Sequence, residues 1–191
     1  MRRHFFALAL AALCLPCAGE DPFTLPALMQ ALAAVPAAQA HFTEVRRMQL
    51  LRAPLEVQGT LRYVRPDTLE RRVQSPYEET ILIEGNRVSV DNPARGERRS
   101  YALASLPAAY ALVESLRATL AGDLAALERH YDVRLAGGRE AWTLSLVPRD
   151  AGVAGMLAQV RLQGSAAHIA RIEFDEAGGD RTVMTIRELK P

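Results

Sequence analysis

Residues 54–71, which read PLEVQGTLRYVRPDTLER, decide the fold. Because side chains alternate between the two faces of an extended chain, the alternation from Leu55 to Tyr63 predicts a strand with one apolar face. Arg65 continues the apolar register, and Pro66, which has no N–H for a ladder, predicts the end of this strand. Residues 68–74 alternate again, with Leu69 on the apolar side. The two strands therefore present an apolar surface that helices alone, or helices together with a ligand, must cover.

Composition favours one soluble globular domain. The 191 residues are 49% hydrophobic and 24% charged, which is ordinary for a globular protein. The 23 basic and 22 acidic side chains give a formal net charge of +1. A nucleic-acid-binding surface needs a basic excess on one face, and the sequence shows none, so we expect no nucleic-acid partner.

The first residues have the pattern of a secretory signal peptide. A basic start at Arg2 and Arg3 precedes an apolar run over residues 5–15 that Pro16 interrupts. This run is too short to span a bilayer. We therefore predict a cleaved signal over residues 1–19 and a single mature domain over residues 20–191, with an uncleaved membrane anchor as the alternative. Both cysteines lie within the signal, so the mature chain would have no thiol for a disulfide or a metal site.

Hydrophobic periodicity predicts the order of the remaining elements. A helix is expected over residues 25–34 with Thr24 as its N-cap, a strand over residues 38–50, and a hairpin at Gly85. The period then becomes helical over residues 105–131, where Ser105, Gly122 and Asp123 are candidate caps. Strands follow to the C-terminus. This pattern predicts a mainly β, α+β fold, in which a curved antiparallel sheet carries helices on its concave face.

Motifs for catalysis or metal binding are absent from the sequence. The mature histidines, His41, His130 and His168, do not have ligand spacing, and no serine lies in a nucleophile elbow. We therefore expect no enzymatic activity, no metal and no cofactor. Arg65 has two interpretations: it extends into solvent from the strand end, or it forms hydrogen bonds at the rim of the apolar face.

Several motifs, in order and without gaps, resemble those of the periplasmic outer-membrane lipoprotein carriers, the LolA family. The segment VPAAQAHFTEV at residues 35–45 resembles the opening strand of that family. Gly59, Leu61, Arg65 and Pro66 match its G-x-L-x-x-x-R-P motif. Further matches are Pro76 followed by ETILIEG at residues 79–85, Asn92-Pro93, and WTLSLVP at residues 142–148.

The resemblance implies an unclosed half β-barrel with a helical lid over an apolar cavity. It also implies a monomeric periplasmic carrier that takes the acyl chains of lipoproteins, or of a related lipid, from an inner-membrane donor transporter to an outer-membrane acceptor. By resemblance, Arg65 is assigned the role of a latch that holds the lid closed. The predicted lipid-binding residues are Leu55, Val57, Leu61, Tyr63, Leu69, Ile81, Ile83, Val88, Val90, Tyr110, Val113 and Leu116.

The sequence departs from the family pattern in the predicted cavity. Leu69 stands in the position of a cavity-facing Phe, and Arg71 stands where an aromatic residue follows it. A divergent branch of the family that serves another lipid, such as the LolA-like proteins found beside aryl-polyene pigment biosynthesis, is therefore a competing interpretation. The alternative function is a non-shuttling envelope component of a lipid or aryl-polyene export system, and a hydrolase is the least favoured class.

Overall fold

The computed structural model describes residues 23–189, without the side chains of residues 107–109. The predicted signal peptide lies outside the described residues. The helices are α1 (Leu25–Ala33), α2 (Pro107–Ala121), α3 (Leu124–His130) and α4 (Ala151–Ala154), with 3-10 turns at Pro93–Arg95 and Leu103–Ser105. The strands are β1 (Ala37–Arg47), β2 (Leu55–Val64), β3 (Thr68–Ser75), β4 (Glu79–Glu84), β5 (Arg87–Asn92), β6 (Glu97–Ala102), β7 (Tyr131–Gly138), β8 (Ala141–Pro148), β9 (Leu157–Ser165), β10 (His168–Glu176) and β11 (Arg181–Glu188).

All eleven strands belong to one antiparallel sheet that is not closed. Their order is β6-β5-β4-β3-β2-β1-β11-β10-β9-β8-β7, so β6 and β7 are its two edges. The centre is formed by β1, which pairs with β2 on one side and with β11 on the other. The predicted fold class, an unclosed antiparallel half-barrel with helices, is confirmed. Within residues 23–189, no helix has the length and apolar character that a membrane span requires.

Strand β2 has the two faces that its alternation predicts. Val57 and Tyr63 are buried, whereas Gln58 and Arg62 between them are exposed. The strand ends at Val64, directly before the Arg65-Pro66 corner. Gly59 has a packing role, because a Cβ at this position would overlap the carbonyl oxygen of Arg72 and crowd the ring of Phe42.

The helix caps are mostly those that the sequence predicts. The Thr24 hydroxyl caps α1, Gly122 ends α2 in the left-handed conformation with φ 70°, and Asp123 Oδ1 accepts the Ala126 N–H at the start of α3. The Ser105 cap is wrong. Its hydroxyl donates to the carbonyl oxygen of Ala102 at 2.6 Å and so completes the preceding 3-10 turn, and α2 begins at Pro107 without a side-chain cap.

Strand β1 is shorter than the predicted strand over residues 38–50. It ends at Arg47, which lies opposite Arg181, the first residue of β11, while β2 begins only at Leu55. Neither neighbouring strand therefore offers hydrogen-bonding partners to residues 48–54, which form a connecting loop instead.

The apolar core fills one half of the concave face more fully than the other. Leu144 of β8 and Leu162 of β9 are fully buried with Leu28 of α1 and Leu127 of α3, and Trp142 is also buried. A smaller cluster on the other half consists of Ile83, Val88, Leu103 and Val113. The space that these two clusters leave unfilled is the cavity described next.

Candidate functional site

A cavity of about 760 Å³ lies between the concave face of the sheet and α2. Its walls come from both halves of the sheet, for example from Leu69 of β3 and Ile172 of β10, so the sheet curves around it. Leu112, Val113, Leu116 and Leu120 of α2 line the cavity together with these sheet residues. The helix thus covers the cavity rather than packing flat onto the sheet. The apolar lining includes Leu32, Val35, Leu61, Tyr63, Leu69, Ile81, Ile83, Val88, Val90, Leu103, Leu106, Leu112, Val113, Leu116, Leu120, Ile169, Ile172, Phe174, Met184 and Ile186.

Nine of the twelve residues predicted to bind lipid line this cavity. They are Leu61, Tyr63, Leu69, Ile81, Ile83, Val88, Val90, Val113 and Leu116. Leu55 and Val57 lie on the same face of β2 but nearer the start of the strand, where they pack in the main core. Tyr110 is 42% exposed, because Leu112 rather than Tyr110 completes the cavity-facing stripe of α2. Contact of the nine residues with a lipid stays a prediction.

The second half of the lining was missed in the sequence. Ile172 and Phe174 of β10 and Met184 and Ile186 of β11 face the cavity. Their alternating spacing could have identified them as one face of two strands. The spacing could not show that β11 pairs with β1, which brings this face opposite the predicted one.

A charged cluster interrupts the apolar wall. The Glu44 carboxylate is only 2% exposed, and Arg71 Nη2 donates to its two oxygens at 3.1 and 3.2 Å. Arg46 Nε donates to the same carboxylate, and the Arg71 guanidinium lies 4.9 Å from the centre of the Phe42 ring. A buried carboxylate is costly unless such donors satisfy it. Arg71, which departs from the family pattern, is therefore half of an ion pair with Glu44 in the cavity wall.

Tyr63 brings a polar atom to the same wall. The residue is 5% exposed, and its hydroxyl has no hydrogen-bond partner among the described residues. Burial raises the pKa of Tyr63, although the nearby charge of Arg65 opposes this shift. The side chain is consequently a neutral hydroxyl at physiological pH and can donate a hydrogen bond.

Arg117 attaches the covering helix to the rim of the sheet. Its Nη2 donates to the carbonyl oxygen of Asp67 at 2.8 Å and to that of Gly85 at 2.7 Å, and its Nη1 pairs with Glu114 at 2.9 Å. These carbonyls belong to the β2–β3 and β4–β5 turns. The Arg117 side chain is 11% exposed, so these charge-assisted bonds are largely shielded from water.

A second attachment comes from the first residue of β7. The Tyr131 hydroxyl donates to the carbonyl oxygen of Ala111 on α2 at 2.7 Å. Burial raises the pKa of Tyr131, which keeps the hydroxyl protonated as the donor. Arg117 and Tyr131 thus hold α2 at two separated points along its length.

Arg65 forms its hydrogen bonds with the end of α1 and the residues that follow it. Its Nη1 donates to the carbonyl oxygen of Ala33, the last residue of α1, and its backbone N–H donates to the carbonyl oxygen of Pro36 at 3.0 Å. The covering helix α2 is bonded to the sheet turns by Arg117. Arg65 itself is exposed. A latch role for Arg65 stays a prediction, and the bond on which it would depend reaches α1.

The chain belongs to the LolA-like family of outer membrane lipoprotein carriers. Residues 20–186 match the family described as "Outer membrane lipoprotein carrier protein LolA-like". Among curated proteins, no sequence matches significantly.

Several solved structures are similar to this chain. A LolA superfamily protein from Nitrosomonas europaea is 13% identical, with 88% of this chain and 94% of that chain covered and a TM-score of 0.45. A chain of the MucA/MucB complex of Pseudomonas aeruginosa is 15% identical, with coverage of 87% and 58% and a TM-score of 0.46. LprF from Mycobacterium bovis is 13% identical, with coverage of 87% and 91% and a TM-score of 0.34. Identities and scores this low support no conclusion on ligands or partners.

Proposed function

We propose that this protein is a non-enzymatic periplasmic carrier that binds the acyl chains of lipoproteins, or of a related lipid, in the cavity beneath α2. The main support for this proposal is a cavity of about 760 Å³ with mostly apolar walls in a chain of the LolA-like carrier family. Pockets for small ligands typically measure about 300–1,000 Å³. Each acyl CH₂ that leaves water contributes about 0.8 kcal/mol, so even part of an acyl chain would bind appreciably.

Release of the cargo needs an opposing contribution, and α2 can supply it. Val113 of α2 packs with Ile83 and Val88. A bound chain would replace some of these contacts rather than contact with water alone, so the net affinity would be lower than its buried area suggests. This exchange suits a protein that receives cargo from an inner-membrane donor transporter and gives it to an outer-membrane acceptor.

The charged cluster supports a related lipid as the cargo. Arg71 and Glu44 occupy wall area that would otherwise be apolar. Glu44 is buried and Arg71 is partly buried, so acyl carbons packed against the pair would remove its remaining contact with water, and a ligand that carries a polar group is favoured over a uniformly apolar one.

A charge at Leu69 tests whether the cavity is the binding site. Leu69→Glu would place an unpaired carboxylate among the cavity side chains, and its burial costs several kcal/mol. We expect binding of a fluorescent fatty-acid probe to fall at least tenfold, while circular dichroism shows a folded protein. Leu82→Glu is the matched control, since Leu82 lies on the next strand outside the cavity lining. Equal probe binding by parent and Leu69→Glu would show that the cavity is not the site.

Transfer separates a carrier from a non-shuttling envelope component. Protein loaded with a labelled acyl lipid is mixed with acceptor vesicles, and the label that leaves the protein is measured. If the protein is a carrier, the amount of label in the vesicles increases with time. If it is a non-shuttling component, the label stays on the protein.

A further inference from the structure

The loop between β1 and β2, residues 48–54, exposes an unusual amount of apolar surface. Leu50 is 92% exposed, the highest value of any large hydrophobic residue in the described part of the chain, and the neighbouring Met48 and Leu51 are 37% and 46% exposed. Single exposed apolar residues are common, but a contiguous group indicates an interaction site.

Hydrogen bonds fix this loop in a defined position. The Gln49 N–H donates to Asp180 Oδ1 at 2.8 Å, and Gln49 Nε2 donates to the carbonyl oxygen of Gly178 at 2.6 Å. The Leu51 N–H donates to the Met48 carbonyl at 3.0 Å and closes a turn. Leu50 therefore lies in a hydrogen-bonded turn that Gln49 attaches to the β10–β11 turn, so its exposure is a property of the folded loop.

The exposed group is continuous with one end of the cavity. Met48 lines the cavity, and so does Met156, which is 42% exposed. The Met156 carbonyl accepts the Ala177 N–H at 3.0 Å, so Met156 lies against the same β10–β11 turn that holds Gln49. Apolar side chains thus lead from the loop to the cavity.

The charges around the loop complement an anionic surface. Arg47 and Arg52 are exposed on either side of Leu50, and Arg46 is partly exposed. Residues 46–55 contain no acidic side chain. Asp180, on the facing β10–β11 turn, accepts the Gln49 N–H, and the charge of Arg46 is paired with Glu44, so Arg47 and Arg52 supply the positive charge of the loop. Apolar side chains flanked by guanidinium groups are typical of segments that lie in the interface of an anionic bilayer.

We propose that the β1–β2 loop docks the protein on an anionic bilayer surface, with Leu50 and Leu51 among the acyl chains and Arg47 and Arg52 at the headgroups. In this orientation the cavity end lined by Met48 and Met156 faces the membrane. A lipid could then pass between bilayer and cavity with little exposure to water. The inference extends the carrier proposal and does not depend on which lipid is carried.

Vesicle flotation tests the docking. The protein is purified from the cells that produce it and mixed with anionic vesicles of phosphatidylcholine and phosphatidylglycerol, or with neutral vesicles of phosphatidylcholine alone. We expect the parent to bind the anionic vesicles. The affinity of Leu50→Glu for them should be at least about tenfold lower, since the variant has no leucine to insert among the acyl chains and its carboxylate is repelled by the anionic surface. Leu189→Glu is the control. It makes the same change at a residue that is 42% exposed at the opposite end of the sheet, so it should bind as the parent does.

Two further measurements separate the components of the proposal. The double variant Arg47→Gln/Arg52→Gln should bind the anionic vesicles more weakly than the parent, and this binding should lose most of its salt dependence. Leu50→Glu should bind a fatty-acid probe in solution as the parent does, because Leu50 is not among the residues that line the cavity. If the parent does not bind the fatty-acid probe, the carrier proposal is refuted, whereas the result of the vesicle-binding experiment is unaffected.

Three outcomes would overturn the docking proposal. The parent could fail to bind anionic vesicles, it could bind neutral vesicles equally well, or Leu50→Glu could bind as strongly as the parent. Sedimentation velocity tests whether a second copy of the chain, rather than a bilayer, binds this surface. If the parent is a dimer and Leu50→Glu is a monomer, the loop is a contact between two copies of the chain instead.

Discussion

Replacing Arg117 by leucine tests whether hydrogen bonds at the sheet turns hold α2 over the cavity. Arg117 reaches the carbonyl oxygens of Asp67 and Gly85, at 2.8 and 2.7 Å. Leucine retains part of the apolar stem and supplies no donor. The substitution therefore removes both bonds between α2 and the turns while it preserves much of the local packing.

The expected loss of stability follows from the number and kind of these bonds. A hydrogen bond to a charged group contributes about 1.5–3 kcal/mol, so two bonds give about 3–6 kcal/mol before compensation. Part of this is offset, because leucine does not carry the desolvation penalty of a buried guanidinium, and the carbonyls of Asp67 and Gly85 lie at partly exposed turns where water can replace the donor. We expect the free energy of unfolding of Arg117→Leu to fall by about 2–4 kcal/mol.

Urea unfolding and hydrogen exchange measure the effect. Trp142, the only tryptophan, lies in the main core and reports global unfolding. Amide exchange in α2 should accelerate more than exchange in β8, because the lost bonds belong to the helix. A fatty-acid probe should bind at least as tightly as it does to the parent, since the closed empty state is weakened. Arg117→Lys should be intermediate, because one ammonium cannot reproduce the planar guanidinium.

The controls decide between a specific and a general effect. Arg129→Leu makes the same substitution at an exposed position of α3, and it should change neither stability nor exchange. Arg65→Leu removes a bond from an exposed guanidinium to the end of α1, so its effect should be smaller than that of Arg117→Leu and should concentrate in α1. If Arg117→Leu and Arg129→Leu unfold at the same urea concentration with equal α2 exchange, Arg117 does not hold the helix.

Two further predictions follow from buried polar groups. Tyr63→Phe removes a hydroxyl that has no hydrogen-bond partner within the described residues, so the variant without ligand should be no less stable than the parent. In paired binding titrations, a probe with an ester carbonyl should bind the variant more weakly than the parent, and a hydrocarbon probe should bind both equally. Burial acts to raise the pKa of Glu173 on the outer face, but hydrogen bonds from Arg171 and Arg181 and the charge of Arg161 outweigh it and hold the pKa below its ordinary value of 4.5. A depressed pKa contributes stability above that value and loses it as the pH falls through the lower native value. Glu173→Gln should therefore be less stable than the parent at pH near 7, and urea titrations at decreasing pH should show the difference shrink as the pH falls below 4.5 and through the lower native pKa.

The fold could be predicted from the sequence because its signals are local. The alternation in residues 55–63 determines which side of β2 is buried, and Val57 and Tyr63 are buried as that alternation requires. The change to a helical period after residue 105 identifies the covering helices. Such patterns depend only on the geometry of one element, so they can be read without knowledge of its neighbours.

The candidate site could be predicted only in part, because its polar contacts connect distant parts of the chain. A side-chain period shows which face Arg71 occupies, but only the pairing of β1 with β2, and of β2 with β3, brings it to Glu44. The same limitation affected the helix attachments. Arg65 stood out in the sequence because it interrupts an apolar face, whereas Arg117 lies in an ordinary amphipathic helix, and its carbonyl partners cannot be identified from residue types.

The way α2 is attached separates its closure from its contact with a ligand. Its hydrogen bonds to the sheet turns and to β7 involve Arg117 and the Ala111 carbonyl, whereas its cavity-facing side chains include the aliphatic residues Val113 and Leu116. Under the proposed function, an acyl chain would replace aliphatic contacts without competing for these hydrogen bonds. The bonds would then determine how often the helix lifts, and the aliphatic contacts would determine how much affinity a ligand gains once it has entered. For this reason Arg117→Leu should change helix opening more than the chemistry of the binding surface, and Leu69→Glu should do the reverse.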